Sequence, residues 1–305
     1  MSGSPRGDVP GPAAALAPAP MTIGSRRFTW GERTFVMGIV NVTPDSFSGD
    51  GLLRTRDPVA AAVAQARSMV AEGADILDVG GESTRPGHVE VPIDEELGRV
   101  VPVIAAIREA LPDIPISVDT TKPTVADAAM AAGADLVNDI WGVADDDSLA
   151  RVAATSGAPL VLMHNRAEPR YEDLVADVIA DLAAAMERAV RAGVDRERLI
   201  VDPGFGFGKT PEQNLAVLGR IGELRVLGRP ILLGTSRKST LGLILDLPAD
   251  QRLEATLATT ALGIAGGVDI VRVHDVEANL RAARTADAII RGTWRRREPT
   301  QGGPT

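Results

Sequence analysis

The sequence predicts a single (β/α)₈ barrel, a fold in which eight parallel strands alternate with helices around a closed sheet. A short aliphatic run, a loop and a longer segment of helical periodicity follow one another eight times along the chain. Strands that alternate with helices predict a parallel sheet, and near-continuous aliphatic strands are typical of it because both faces are buried. The length of 305 residues agrees, since such a barrel needs about 250. The predicted strands lie near residues 35–41, 75–80, 115–120, 135–140, 159–164, 199–203, 230–236 and 269–274.

Capping residues mark the predicted ends of several helices. Asp57, followed by proline, is expected to cap the first barrel helix, and Gly73 is expected to end it. Thr210 and Gln213 form the pattern of a capping box around a proline at the first helical position. The longest helix is predicted within residues 171–193, where apolar residues recur on one stripe.

A repeated tripeptide predicts how polar side chains enter the barrel. Gly-Ala-Asp or Gly-Val-Asp ends a predicted helix four times, and in three cases a strand follows directly. The fifth residue after the glycine is then Asp78, Asn138 or Arg272. Because strand side chains alternate between faces, these three residues should point into the barrel near its C-terminal end. His274, two residues after Arg272, should point the same way.

The ends of the chain differ in composition from its middle. Residues 1–24 are rich in proline, alanine and glycine and are expected to be a disordered tail. Residues 25–292 are assigned to the barrel, and residues 293–305 to a flexible C-terminal tail.

Composition excludes several classes of function. A net charge of −9 and 3% aromatic residues argue against a nucleic-acid partner, which requires a basic face or stacking platforms. No apolar run approaches the ~20 residues needed to cross a bilayer, so no membrane association is expected. Cysteine is absent, which rules out disulfides and thiolate zinc sites and is compatible with the cytoplasm, the expected location.

Every predicted strand ends in a polar or charged residue. In a barrel of this class, such residues at the C-terminal strand ends are typical of a catalytic site, although any one of them alone could be structural. The positions of the rare residue types also favour a site at this end, because all three lysines and all three histidines fall in or just after strand-to-helix connections. The strand-end residues are Asn41, Asp78, Asp119, Asn138, His164, Asp202, Ser236 with Lys238, and Arg272 with His274; the remaining lysines and histidine are Lys122, Lys209 and His88.

The side-chain chemistry of the strand-end residues limits the class of ligand that they can bind. Five basic groups suit an anion such as phosphate, namely Arg85, Arg237, Lys238, Arg272 and His274. The oxygens of Asp119, Asn138 and Asp202 suit the N–H edge of a nitrogen heterocycle. The loop 41–46 offers oxygen ligands for a hard cation such as Mg²⁺.

Eight ordered motifs resemble those of the dihydropteroate synthase family over residues 35–292. The two longest are Met-Gly-Ile-Val-Asn-Val-Thr-Pro-Asp-Ser-Phe-Ser at 37–48 and Leu-Asp-Val-Gly-Gly-Glu-Ser-Thr-Arg-Pro-Gly at 77–87. Shorter motifs follow at 117–120, 138–140, 162–164, 202–209, 236–238 and 272–275.

The resemblance implies an enzyme that condenses a dihydropterin pyrophosphate with p-aminobenzoate, with Mg²⁺ as cofactor and a homodimer as the assembly. It implies that Asp119, Lys238, Arg272 and His274 are catalytic and that Asn41 is the metal ligand. The substrate-binding residues that it implies are Phe47, Thr84, Arg85, Pro86, Asp119, Asn138, Met163, Asp202, Phe207, Lys238, Ser239, Arg272 and His274.

Two other functions remain open at this point. A methyltetrahydrofolate-dependent methyltransferase barrel would keep the pterin carboxylates but would not need the basic residues Arg85, Lys238 and His274. A catalytically silent paralogue would bind pterin without turning it over, and only an activity measurement separates it from the enzyme.

Overall fold

The computed structural model describes residues 17–43, 57–82, 90–142 and 146–294 of the chain. Within these ranges, eight parallel strands form one sheet, and two short antiparallel strands precede it. In chain order the strands are β1 (Met21–Ile23), β2 (Arg26–Phe28), β3 (Phe35–Asn41), β4 (Ile76–Gly80), β5 (Ile116–Asp119), β6 (Leu136–Asp139), β7 (Leu160–Met163), β8 (Leu199–Asp202), β9 (Leu232–Leu233) and β10 (Ile270–Val273).

The sheet closes on itself, as the sequence predicts. Its strand order is β8-β7-β6-β5-β4-β3-β10-β9. An isolated parallel bridge between Val201 and Ile231 joins β8 to the segment just before β9. The backbone N–H of Val201 also donates to the carbonyl of Pro230 at 3.0 Å. The two edges of the sheet therefore meet, and the fold is a (β/α)₈ barrel.

Helices follow the barrel strands and cover the outer face of the sheet. Two of the predicted boundaries are confirmed by cap geometry: the Asp57 carboxylate accepts from the Ala60 N–H, and Gly73 adopts φ 104°. Thr210 and Gln213 form the predicted capping box. In chain order the helices are α1 (Pro58–Glu72), α2 (Ile93–Ala110), α3 (Pro123–Ala131), α4 (Ser148–Ser156), α5 (Leu174–Arg191), α6 (Pro211–Gly219), α7 (Ser239–Leu245), α8 (Leu253–Ala265) and α9 (Val276–Ile290).

The repeated Gly-Ala/Val-Asp tripeptide connects the end of a helix to the neighbouring strand. Its glycines take a positive φ that suits glycine, between 94° and 112°. The three aspartates that precede strands each accept a hydrogen bond from a backbone N–H of the adjacent strand. The pairs are Val36 with Asp75 at 2.9 Å, Ile116 with Asp135 at 2.9 Å, and Ile231 with Asp269 at 3.1 Å.

The N-terminal half of the barrel interior is apolar and closed. Ile76, Leu136 and Ile270 point inward there, as predicted from strand alternation, and are fully buried. The hairpin formed by β1 and β2 packs against them with an aromatic cluster that includes Phe28 and Trp30. Because this end is filled, a small molecule can enter only from the other end, where the strands finish.

The predicted N-terminal tail extends too far, because its last residues belong to the hairpin. Residues 21–23, which the composition assigned to the tail ending at 24, form strand β1. Met21 and Ile23 bury their side chains under the barrel, and this long-range contact leaves no signal in local composition. In the ranges that the structure covers, no helix is long and apolar enough to cross a membrane.

Candidate active site

Arg272 lies at the centre of the C-terminal half of the barrel. It comes two residues after buried Ile270 on β10, so alternation brings it inward above the apolar layer. Its Nε donates to Asp78 Oδ2 at 2.5 Å, and its Nη2 donates to Asp119 Oδ2 at 2.6 Å. Asn138 donates from Nδ2 to the same Asp78 oxygen at 3.3 Å. Strands β4, β5, β6 and β10 thus contribute to one polar cluster.

The second oxygen of each carboxylate in this cluster is buried without a partner. Among the residues that the structure covers, Asp78 Oδ1, Asp119 Oδ1 and the neighbouring Ser117 Oγ have no hydrogen-bond partner. A buried acceptor left unpaired is costly, and such atoms in a native site commonly mark the place of a ligand. These oxygens therefore suit the N–H groups of a bound molecule.

Burial also shifts the acid–base behaviour of the cluster. It raises the pKa of Asp119 to about 7, while the Arg272 guanidinium opposes that shift. Burial raises the pKa of Asp202 as well, against the Gly204 N–H that donates to its carboxylate. For Arg272, burial acts to lower the pKa, but Asp78 and Asp119 outweigh it and the net shift is upward. Arg272 therefore stays charged between the two carboxylates that it binds.

A cavity opens above this cluster at the barrel mouth. Lys238, the residue before α7, places Nζ 3.9 Å from the centroid of the Phe207 ring, a cation–π geometry. Met163 at the end of β7 forms the neighbouring wall. The cavity is lined by Asp119, Asn138, Ile140, Met163, Asp202, Phe205, Phe207, Gly234, Lys238 and Arg272. Most of the residues predicted to hold a heterocycle therefore lie around one space.

The loop 203–208 between β8 and α6 forms one side of the cavity. Its backbone turns tightly: Gly204 has φ 68°, and a Cβ there would lie 1.9 Å from the His164 carbonyl oxygen. Asp202 Oδ1 accepts from the Gly204 N–H at 2.7 Å. Asn214 Oδ1 accepts from the Gly206 N–H at 2.7 Å. The loop is therefore bonded to the end of β8 and to α6, and its backbone packs closely against the His164 carbonyl.

His274 and Arg237 lie at the same end of the barrel but have different partners. The Ser236 hydroxyl bonds to His274 Nδ1 at 2.9 Å and accepts from the His274 backbone N–H at 3.2 Å. Arg237, predicted among the anion-binding groups, makes a two-bond ion pair with Asp275 at 2.6 and 3.1 Å. It joins the loop after β9 to the loop after β10, so its described contacts are structural.

His164 does not enter the cavity, although the sequence groups it with the other strand-end residues. Met163 takes the inward position on β7, and alternation turns His164 toward α5. Its Nε2 lies 3.0 Å from Asp181 Oδ2, and its Nδ1 lies 2.8 Å from Lys209 Nζ. Burial lowers the pKa of His164 to about 4 and that of Lys209 to about 7.

Lys122 likewise lies outside the cavity. Its ammonium is bound between Glu82, at the start of the loop after β4, and Glu96 of α2, the latter at 2.7 Å. Thr120 donates to the other Glu96 oxygen at 2.6 Å. The Val91 N–H donates to Glu82 Oε1 at 3.0 Å, so this cluster ties residue 82 to residue 91. The lysine is a structural ion-pair partner in the described contacts.

Several predicted site residues lie at the edge of the described ranges or beyond them. Asn41 ends β3 at the barrel mouth and is partly exposed. Ser239 begins α7 next to Lys238 and is exposed. The residues predicted from the two long loops lie outside the described residues; they are Phe47, Thr84, Arg85, Pro86 and His88.

Comparisons with known proteins identify the family of the chain. The model of the pterin binding enzyme family matches residues 37–274. The curated dihydropteroate synthase of Clostridium beijerinckii is 52% identical over 272 residues, which is 89% of this chain and 100% of that protein. The chain belongs to the dihydropteroate synthase family. It is therefore an enzyme of the alkyl-transferring class, as the motifs predict.

Solved structures of dihydropteroate synthases share this fold. The Xanthomonas albilineans enzyme with 4-aminobenzoic acid has a TM-score of 0.83 at 41% identity, covering 90% of this chain and 98% of that one. The Yersinia pestis enzyme in a sulfonamide drug complex has a TM-score of 0.84 at 38% identity, covering 89% of this chain and 99% of that one. The family assignment thus has sequence and structural support across the barrel.

Sequence reasoning missed three residues that line the cavity and one buried polar residue beneath it. Ser117 lies two residues before Asp119 on β5, so the period-two rule alone could have placed it inward. Ile140, Phe205 and Gly234 line the cavity from loops or strand ends. Nothing in their local sequence distinguishes them from packing residues, and only the folded chain brings them to the mouth.

Proposed function

We propose that this chain condenses (7,8-dihydropterin-6-yl)methyl diphosphate with p-aminobenzoate, giving 7,8-dihydropteroate and pyrophosphate. The observation that carries the proposal is the pair of buried, unpartnered oxygens on Asp78 and Asp119 beside a cavity lined by Lys238 and Phe207. A flat heterocycle that presents N–H donors satisfies these acceptors, and no apolar ligand does so.

The pterin would lie between the carboxylate cluster and the loop 203–208. Asp119, Asn138 and Asp202 offer hydrogen-bonding groups to its polar edge, and Met163 and Phe207 offer apolar contact with its ring. Arg272 would pack along the ring, because two of its five N–H groups already hold Asp78 and Asp119 in place. We assign the pterin-binding role to these residues.

The pyrophosphate would lie toward the solvent side of the mouth. Lys238, Arg272 and His274 can donate to its oxygens, and positive groups there stabilise the charge that develops on a leaving pyrophosphate. We assign Thr84, Arg85 and Pro86 to the loop that covers the pyrophosphate and the aminobenzoate. Phe47 and Ser239 are assigned to the aminobenzoate end.

In the reaction, the bond between the pterin methylene carbon and the pyrophosphate oxygen breaks, and its electron pair leaves with the oxygen. The lone pair of the p-aminobenzoate nitrogen forms the new C–N bond, and the nitrogen then loses one proton. An aniline-type nitrogen is neutral at pH 7, so no strong general base has to create the nucleophile. The buried carboxylates stabilise positive charge that builds on the pterin as the pyrophosphate departs.

Asn41 is the residue that we propose to hold Mg²⁺. It offers one neutral oxygen at the mouth, and the described residues contain no group of three His, Cys, Asp or Glu that could hold a metal by themselves. One protein oxygen fits Mg²⁺, which commonly takes one or two protein ligands and completes its shell with water and substrate phosphates. When bound, the ion supplies neutralisation of charge on the leaving pyrophosphate.

The metal assignment has a direct test. Asn41→Ala should weaken binding of dihydropterin pyrophosphate when Mg²⁺ is present, because the change removes the ion's protein ligand. Titration calorimetry with and without Mg²⁺ measures the effect. An equal loss of affinity in the absence of the metal would contradict the assignment.

We also propose that the enzyme is a homodimer joined through α8 and α9. These adjacent helices expose Leu262, Ile289 and Ile290, with 62%, 75% and 50% of their surfaces accessible. Large exposed apolar side chains on adjacent helices are typical of a protein interface. A second copy of the chain is the partner that the family resemblance implies.

One assay tests the proposed reaction. Purified protein incubated with dihydropterin pyrophosphate, p-aminobenzoate and Mg²⁺ should release dihydropteroate, detected by chromatography. Binding of the pterin without product would favour the silent paralogue. Transfer of a methyl group from methyltetrahydrofolate to a corrinoid, in place of dihydropteroate formation, would favour the methyltransferase.

A further inference from the structure

We infer that Lys209, held by His164, is a positioning residue that fixes the pterin-side wall of the cavity. The inference rests on the proposed function only in naming the pterin as the ligand. Neither residue appears among those that line the cavity, so both would act through the loop 203–208 rather than by touching the substrate.

The Lys209 ammonium joins the loop to strand β7. Its Nζ donates to the carbonyl of Gly204 at 3.2 Å and to that of Phe207 at 3.0 Å. Its third contact is His164 Nδ1 at 2.8 Å. An ammonium has three donors, and here all three have an acceptor. Two of these acceptors belong to the loop and one to the end of β7, so Lys209 sets the position of the loop relative to the strand.

The contacts of His164 select the tautomer that this arrangement needs. Nε2 lies 3.0 Å from Asp181 Oδ2, and a carboxylate can only accept, so Nε2 carries the proton. Arg166 Nε donates to the same Asp181 oxygen at 2.7 Å, which holds the carboxylate in place. The unprotonated Nδ1 then faces Lys209 with its lone pair. The residue is 3% exposed, and because burial lowers the pKa of its imidazole to about 4, the ring is neutral at pH 7.

The loop transmits this contact to the cavity. Phe207, whose carbonyl accepts from Lys209, places its ring 3.9 Å below Lys238 Nζ. Gly204, whose carbonyl also accepts from Lys209, donates its N–H to Asp202 Oδ1 at 2.7 Å. Releasing Lys209 would therefore free a ring and a carboxylate that both face the pterin.

The experiment compares two variants of nearly equal size. His164→Asn keeps an acceptor oxygen for Lys209, whereas His164→Leu removes it; both lose the bond to Asp181. Calorimetric titration with dihydropterin pyrophosphate, without p-aminobenzoate, should show affinity about tenfold lower for His164→Leu and little changed for His164→Asn. Lys209→Met should match the leucine variant, and the double variant should lose less than the sum of the two.

A positioning role also predicts that the variants affect the binding of the two substrates unequally. The KM for p-aminobenzoate at saturating pterin should change less than the pterin affinity, because the loop 203–208 lies on the pterin side.

In the unmodified protein, nuclear magnetic resonance of labelled histidine should show His164 protonated on Nε2 alone at pH 7, a readout that does not depend on any variant folding.

Three results would overturn the inference. These are equal pterin affinity of the asparagine and leucine variants, unchanged affinity of a folded Lys209→Met variant, and a His164 protonated on Nδ1. A wild-type protein that binds no pterin would instead contradict the proposed function, so the two failures are distinguishable.

Discussion

At the scale of single residues, the site depends on carboxylates buried beyond the reach of bulk water. Asp119 is 7% exposed and Asp78 is fully buried, and each keeps one oxygen without a partner in the described part of the chain. Arg272 balances part of their charge through its two ion pairs. Burial of an ion pair contributes little to stability by itself, so this arrangement is better explained by ligand binding than by folding.

The raised pKa of Asp119 gives the first prediction. Below its pKa of about 7 the carboxyl is protonated and loses acceptor strength, so pterin affinity should fall as the pH drops from 8 to 6. The limiting slope is roughly tenfold per pH unit, because binding then releases one proton. Calorimetric titrations at several pH values measure it. The folding contribution has the opposite sense: stability from this group is lost as pH rises through about 7.

Asp119→Asn is the control for this pH dependence, since its amide does not titrate in this range. Its affinity should be lower and should no longer fall as the pH drops from 8 to 6. Lys209, whose burial lowers its pKa to about 7, would give a dependence of the opposite sign, with weaker binding at high pH. A slope that persists in Asp119→Asn would assign the titration to another group.

A second prediction at this scale concerns Lys238. Lys238→Ala should reduce kcat/KM by about 10² or more, because a positive group beside the developing charge is lost. The fold should remain, since the side chain lies at the cavity mouth and outside the core. Circular dichroism and the activity assay measure both effects. Arg220→Ala, which removes an exposed surface cation, serves as control; an unfolded Lys238→Ala would indicate a structural role.

At the scale of elements, the glycine–aspartate repeat has two separable functions. The glycine ends the helix with a positive φ, and in the three repeats that lead into a strand the aspartate accepts a backbone N–H near the start of the neighbouring strand. Each repeat thereby sets the starting point of one strand against the next. Because alternation then determines every inward side chain, the repeat also determines that Asp78, Asn138 and Arg272 point into the barrel.

The third prediction tests this role at Asp269, which is buried and accepts from the Ile231 N–H at 3.1 Å. Asp269→Ala should lower the free energy of unfolding by about 1–3 kcal/mol, because a buried N–H loses its acceptor. Asp269→Asn keeps an acceptor oxygen and should lose less. Urea denaturation measures both variants. Equal loss in the two would show that charge, and not the acceptor, matters at this position.

At the scale of the whole molecule, the apolar residues that stabilise the barrel and the polar residues of the candidate site lie at opposite ends of its axis. The hairpin of β1 and β2 and the inward apolar residues close the N-terminal end. The polar residues occupy the other end, where strands stop and loops begin. The exposed apolar side chains of α8 and α9 lie on the outer surface and are not among the residues that line the cavity. Association through that surface therefore need not block the cavity.

The fourth prediction concerns this surface. Leu262→Glu and Ile289→Glu should each shift sedimentation toward the monomer mass of 31.9 kDa, because a charge cannot be buried between apolar side chains without a partner. Ile93→Glu on α2, an exposed apolar residue elsewhere, is the matched control. A wild-type chain that sediments as a monomer, or variants that remain dimeric, would contradict the proposed interface.

Local rules in the sequence determined the eight units, the strand positions and the inward direction of Asp78, Asn138 and Arg272. Alternation along a strand depends only on backbone geometry, so a short aliphatic run with one polar residue is enough to predict it. The two antiparallel strands at the N-terminus left no such pattern, since their burial depends on the barrel floor that they cover.

Only the tertiary structure decided what the loop residues contact. His164, Lys209 and Lys122 follow strands as the catalytic candidates do, yet they bind Asp181, two loop carbonyls and a pair of glutamates outside the cavity. Past the end of a strand, no periodicity relates the position of a residue in the sequence to the direction in which its side chain points. The partner of a long side chain is then set by which distant segment packs beside it, and that information resides in the folded chain.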